Sequence, residues 1–69
     1  MRAKKTISNR EKEVLSFYAK GLTYNSIAVE LAISPATVRK HIENIYKKLQ
    51  VHNKMEAVQK AIKEKILRA

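Results

Sequence analysis

The chain has 69 residues, no cysteine, no aspartate and a formal charge of +9. One small domain is the most that this length supports, near the size at which burial only just overcomes chain entropy. The missing cysteines exclude a disulfide framework and a thiolate metal site. No apolar run approaches the roughly 18 residues that suggest a membrane span, and the start lacks the apolar core of a signal peptide, so a soluble cytoplasmic protein is expected. The positive charge fits a nucleic-acid partner, modestly favoured over a merely solvated basic surface. It is concentrated in residues 1–20 and 39–54, whereas 21–38 are nearly neutral. An anionic membrane surface fits less well, because the apolar faces of the helices look committed to a core.

Residues 1–6 carry Arg2, Lys4 and Lys5 without periodicity and read as a flexible basic arm or the end of a linker; the domain proper is residues 7–69. Ser8 with Glu11 three residues on has the spacing of a capping box, and Ile7 precedes it as half of a hydrophobic staple. A first helix over Asn9 to Lys20 follows, with Val14, Leu15, Tyr18 and Ala19 at helical spacing and Gly21 placed to take a left-handed C-terminal conformation.

Thr23 caps a short second helix that buries Ile27, Ala28 and Leu31 and ends near Ala32. The break before the next helix is only about three residues, as a helix-turn-helix requires. Ser34 caps the third helix and Pro35 falls at its first position, where the missing N–H costs nothing. At 100° per residue Val38, Ile42, Ile45 and Leu49 form one apolar stripe. Ala36, Lys40, Glu43 and Lys47 stand opposite, with Arg39 on one flank and Thr37, Asn44 and Lys48 on the other. Such a helix could enter a major groove.

Asn53 with Glu56 repeats the cap-plus-acid spacing and starts a fourth helix. Its apolar side is Met55, Val58, Ala61, Ile62 and Ile66, with Ala57 beside them, and it is expected to end in exposed Ile66 and Leu67. Four helices without a strand signal predict an all-α fold: a four-helix bundle containing a helix-turn-helix whose third helix is the recognition helix.

The elements Arg10-Glu11-x-Glu13-Val14-Leu15, Ala19-x-Gly21, Ile27-Ala28-x-x-Leu31, Ile33-Ser34, Thr37-Val38-Arg39-x-His41, Ile45, Lys48-Leu49, Val51 and Glu56-Ala57-Val58 together resemble the DNA-binding domain of the LuxR/FixJ/NarL family. That domain is the output module of many bacterial response regulators and quorum-sensing regulators. The resemblance covers Ile7 to Val58, and so many matches in register are far more specific than one short motif. It implies a transcription regulator whose third helix enters the major groove and which commonly dimerises through its last helix. The family's base-facing positions fall on Arg39, Lys40 and Glu43, and backbone contacts fall around Thr37, His41, Lys48, Asn53 and Lys54.

Departures from the family pattern are also present. Tyr24-Asn25-Ser26 stands where Asn-Lys-Glu is usual, and Glu43 stands where a cation or polar residue is more usual. Ala32 and Gln50 replace common glycines, at a steric cost if they take positive φ.

The expected DNA-reading residues are therefore Arg39, Lys40, Glu43 and Asn44. Arg39 is the strongest of these; Lys40 is balanced against a phosphate contact, while simple pairing with Arg39 or Lys47 is the favoured reading for Glu43 and a water or phosphate contact for Asn44. Thr23, Tyr24, Thr37, His41, Lys47, Lys48, Asn53 and Lys54 are expected on the DNA backbone, and Met55, Val58, Ala61, Ile62 and Ile66 at a homodimer interface. Tyr18, Phe17 and Tyr46 are read as core or boundary residues. No cofactor or metal is expected, since His41 and His52 lie on separate elements without cysteine or aspartate to complete a site. No catalysis is expected either, because no nucleophile or paired carboxylates converge. Double-stranded DNA is the expected partner, and RNA polymerase is considered as a second one. The competing readings are a sigma-factor-like promoter-binding domain and a protein interaction module docking through the last helix.

Overall fold

The computed structural model describes residues 7–67, so the basic arm over 1–6 and Arg68 lie outside the described residues. Four helices follow in chain order: α1 Asn9–Ala19, α2 Tyr24–Leu31, α3 Pro35–Leu49 and α4 Lys54–Lys63. No strand occurs among the described residues. α3 is the central element, packing against α1, α2 and α4 alike. Its stripe of Val38, Ile42, Ile45 and Leu49 is buried, and it meets Val14 and Leu15 of α1, Ile27 and Ala28 of α2, and Ala57 and Ala61 of α4 in one core. Leu31 is only half-buried, and Ala19 is exposed.

Every helix starts as the side chains dictate. Ser8, Thr23, Ser34 and Asn53 each accept the N–H three residues on, which satisfies one of the donors that a helix start leaves without a partner. At Ser8 the box is complete, because the Ser8 N–H donates to Glu11 Oε1 at 3.0 Å. The expected second box is offset by one residue: the Glu56 carboxylate accepts the His52 N–H at 3.0 Å, one position before the cap.

The four ends share one geometry as well. Leu22, Ile33, Val51 and Ile66 return their N–H groups to the carbonyls of Phe17, Ala28, Tyr46 and Ala61, the long bond of a Schellman turn. The residue before each is left-handed, with φ of 98° at Gly21, 57° at Ala32, 57° at Gln50 and 64° at Lys65. Only one of these four is glycine, so three side chains sit where Cβ crowds the backbone. Ala32→Gly and Gln50→Gly are each expected to stabilise the fold by about 1 kcal/mol, read as a higher midpoint in urea unfolding. No gain at either site would mean that the turn holds these residues without strain.

The last turn corrects one expectation. α4 stops at Lys63, and the chain folds back so that Ile66 and Leu67 lie half-buried against the core instead of exposed. The 2.7 Å bond from the Ile66 N–H to the Ala61 carbonyl holds that reversal.

Candidate nucleic-acid interface

The turn between α2 and α3 consists of Ala32, Ile33 and Ser34. Left-handed Ala32 reverses the chain, half-buried Ile33 anchors it, and Ser34 opens α3 by accepting the Thr37 N–H at 3.1 Å. Thr37 is fixed further by a 2.9 Å contact between its hydroxyl and that of Ser34. α3 thus leaves the turn with its orientation set by caps and by four buried residues.

On the outer face of α3, Ala36, Arg39, Lys40, Glu43 and Lys47 are exposed, while His41 and Asn44 are half-buried on its flank. Among the described residues Glu43 lies within ion-pair distance of neither Arg39 nor Lys47, so the expected pairing is not formed. Its carboxylate is left free beside the cations.

A cleft opens between the first turns of α2 and α3, lined by Thr23, Tyr24, Asn25, Pro35, Ala36 and Arg39. The Thr23 hydroxyl caps α2 and donates to Ser26 Oγ at 3.1 Å. Tyr24 is half-buried, its ring 5.8 Å from that of Tyr18 on α1. Burial, followed by contact with the Tyr18 hydroxyl, raises the Tyr24 pKa; Arg39 acts in the opposite sense and Glu43 in the same one. Tyr24, Arg39 and Glu43 therefore share one local field at the edge of the outer face.

Lys48 and Asn53, two of the other expected backbone contacts, have partners inside the protein. Lys48 Nζ donates to Glu11 Oε1 at 2.7 Å, in a pair whose side chains are 27% and 6% exposed. This cation ties the end of α3 to the start of α1 rather than standing on the outer face. Burial alone would raise the Glu11 pKa, but the Lys48 hydrogen bond, the Ser8 N–H and the Lys48 charge outweigh it and hold the carboxyl below its ordinary value. Asn53 spends its side-chain oxygen on the Glu56 N–H at 2.9 Å. Lys54 lies half-buried with Nζ 4.7 Å above the centre of the Tyr18 ring. Lys47 remains exposed.

The expected dimer stripe divides in the same way. Ala61 is fully buried and belongs to the core, because α4 turns that side toward α1 and α3. Met55 is 70% exposed. Val58, Ile62 and Ile66 join Phe17, Leu31 and Leu67 along an open groove between α1 and α4. Sequence reasoning missed the Glu11–Lys48 pair and the meeting of Tyr18, Tyr24 and Tyr46. Both link residues far apart in the chain, and no local spacing signals them.

Among the described residues no group of three or more His, Cys, Asp or Glu side chains is arranged to hold a metal, and no helix is long and apolar enough to cross a membrane.

Comparison with known proteins agrees with this geometry. DesR, a transcriptional regulatory protein of Bacillus subtilis, is 46% identical over 59 residues, 86% of this chain and 29% of that protein. The probable transcriptional regulatory protein NarL of Mycobacterium tuberculosis is 39% identical over 61 residues, 88% of this chain and 28% of that protein. The chain thus spans under a third of the length of these relatives. The crystal structure of the response regulator ChrA, from a heme-sensing two-component system, superimposes with a TM-score of 0.88 at 35% identity, covering 96% of this chain and 33% of that one. The model of the GerE family, described as bacterial regulatory proteins of the luxR family, matches residues 5–61. With a family model over most of its length and a helix-turn-helix placed as described, the chain belongs to the luxR family of bacterial regulatory proteins.

Proposed function

We propose that the chain is a sequence-specific double-stranded DNA-binding module of a bacterial transcription regulator, which lays α3 in the major groove and acts in the cytoplasm as a homodimer on two half-sites. The observation that carries this reading is the outer face of α3. Arg39, Lys40 and Glu43 are exposed there, outside any ion pair among the described residues, on a helix whose opposite side is locked into the core. Free donors and acceptors on a rigid helix are what readout of base edges requires. Arg39 and Lys40 suit guanine O6 and N7, Glu43 suits the cytosine amino group, and Asn44 reaches from the flank.

Thr23, Tyr24, Thr37, His41 and Lys47 surround that face and fix it against phosphates, whereas Lys48 is engaged by Glu11. Exposed Met55 and the groove containing Val58, Ile62 and Ile66 support self-association through α4. RNA polymerase is the partner through which such a module acts on transcription. That the family is one of regulators supports a binding role over a catalytic one.

Selection of bound duplexes from a random pool tests the proposal. The enriched sites are expected to show two related half-sites separated by about one helical turn or a multiple of it. Affinity for them is expected to fall linearly on a log–log plot against salt, as phosphate neutralisation requires. No enrichment, and no shifted duplex at micromolar protein and low salt, would count against DNA binding and favour a protein-interaction role for α4.

A further inference from the structure

The three tyrosines of the chain, one from each of the first three helices, meet at one place. The Tyr18 and Tyr46 hydroxyls are 3.4 Å apart, and the Tyr18 and Tyr24 rings lie 5.8 Å apart, centre to centre. All three side chains are half-buried, so the cluster reaches the surface. Lys54 from the fourth helix adds its ammonium 4.7 Å above the Tyr18 ring. The cluster adjoins the recognition face, because Tyr24 lines the cleft that contains Arg39.

The three hydroxyls have more protons than the cluster itself consumes. The Tyr18–Tyr46 contact uses one of the three O–H protons. Two protons are left to donate outward, beside the Lys54 ammonium. Tyrosine hydroxyls are neutral at neutral pH and do not repel an anion, and burial, which raises the pKa of Tyr18 and Tyr24, acts in the same direction. A packing role alone would not require hydroxyls on all three rings, since phenylalanine fills the same space.

We propose that Tyr18, Tyr24, Tyr46 and Lys54 form a single seat for one DNA backbone phosphate, bringing all four helices to that contact and setting how α3 lies in the groove. The proposal rests on the DNA-binding reading above and adds Tyr18 and Tyr46 as positioning residues. A phosphate oxygen accepts a spare hydroxyl proton, and the Lys54 ammonium, held over the Tyr18 ring, neutralises its charge. The contact reads no base, so it strengthens binding to every sequence alike.

The test compares wild type, Y18F/Y24F/Y46F and K54Q on a selected duplex and on a scrambled one, and repeats the titrations with single phosphates replaced in turn by neutral methylphosphonates. The triple variant is expected to lose about tenfold on both duplexes. K54Q is expected to reduce the salt slope by about one. Both losses should vanish at the same methylphosphonate position. Unchanged affinity in the triple variant, or losses that persist at every methylphosphonate position, would overturn the seat while leaving DNA binding intact. Failure of the wild type to bind any duplex would overturn both. Should the triple variant not fold, K54Q decides alone: a loss that no single methylphosphonate cancels is the contrary result.

Discussion

Lys48→Met is expected to cost about 3 kcal/mol of folding stability, enough to leave much of so small a domain unfolded at physiological temperature. The reason is the asymmetry of the Glu11–Lys48 pair. Glu11 is only 4% exposed and carries the Ser8 N–H and the Lys48 ammonium on one oxygen. Taking away Lys48 leaves a buried carboxylate with a single neutral donor. Glu11→Gln is milder, at about 1 to 2 kcal/mol, because Gln keeps an oxygen for Ser8 and the partly exposed Lys48 can turn to water.

The same pair fixes an acid limit. Since the Glu11 pKa is lower in the fold than its ordinary value of 4.5, the stability it supplies is complete above that value and is lost as pH falls through the folded pKa. Urea midpoints measured from pH 7 to pH 3 should therefore fall more steeply for wild type than for Glu11→Gln. Parallel curves would show that another carboxylate governs acid unfolding.

Arg39→Ala should weaken binding to the selected duplex by about 10- to 100-fold, the worth of a bidentate guanine contact, with a much smaller loss on a scrambled duplex. Glu43→Ala should separate the two duplexes in the opposite way. An unpaired carboxylate on the outer face of α3 repels phosphate everywhere, so its removal should strengthen binding to scrambled DNA while reducing discrimination at the selected site. Equal losses for Arg39→Ala on both duplexes would make Arg39 a phosphate contact. Unchanged discrimination in Glu43→Ala would make Glu43 a bystander.

What the sequence made legible was local. Ser8, Thr23, Ser34 and Asn53 announced the four helix starts, because a capping side chain acts within three residues. The stripe from Val38 to Leu49 identified the buried side of α3, and hence the outer side, because helical geometry alone relates those positions. The replaced glycines at Ala32 and Gln50 also marked left-handed turns correctly.

What stayed hidden depends on contacts made across the fold. Glu11 looked like a capping residue and is one, but its pairing with Lys48 joins positions 37 apart. Ala61 looked like part of a dimer stripe, yet it is core, since periodicity gives a helix its apolar side without saying which portion its own domain covers. Tyr18 and Tyr46 fitted a boundary role from spacing alone. Only the packing of α1, α2 and α3 brings their hydroxyls together with Tyr24 beside the outer face of α3.

The central claim is that the outer face of α3 supplies sequence discrimination. Its most direct test is the ratio of affinities for the selected and scrambled duplexes at one fixed salt concentration, in wild type and in R39A/K40A/E43A. For wild type the ratio should reach about a thousand or more, and in the triple variant it should fall to within about tenfold of unity with residual binding preserved by the surrounding phosphate contacts. A triple variant that stays folded and keeps the wild-type ratio would contradict the claim and place sequence reading on another surface.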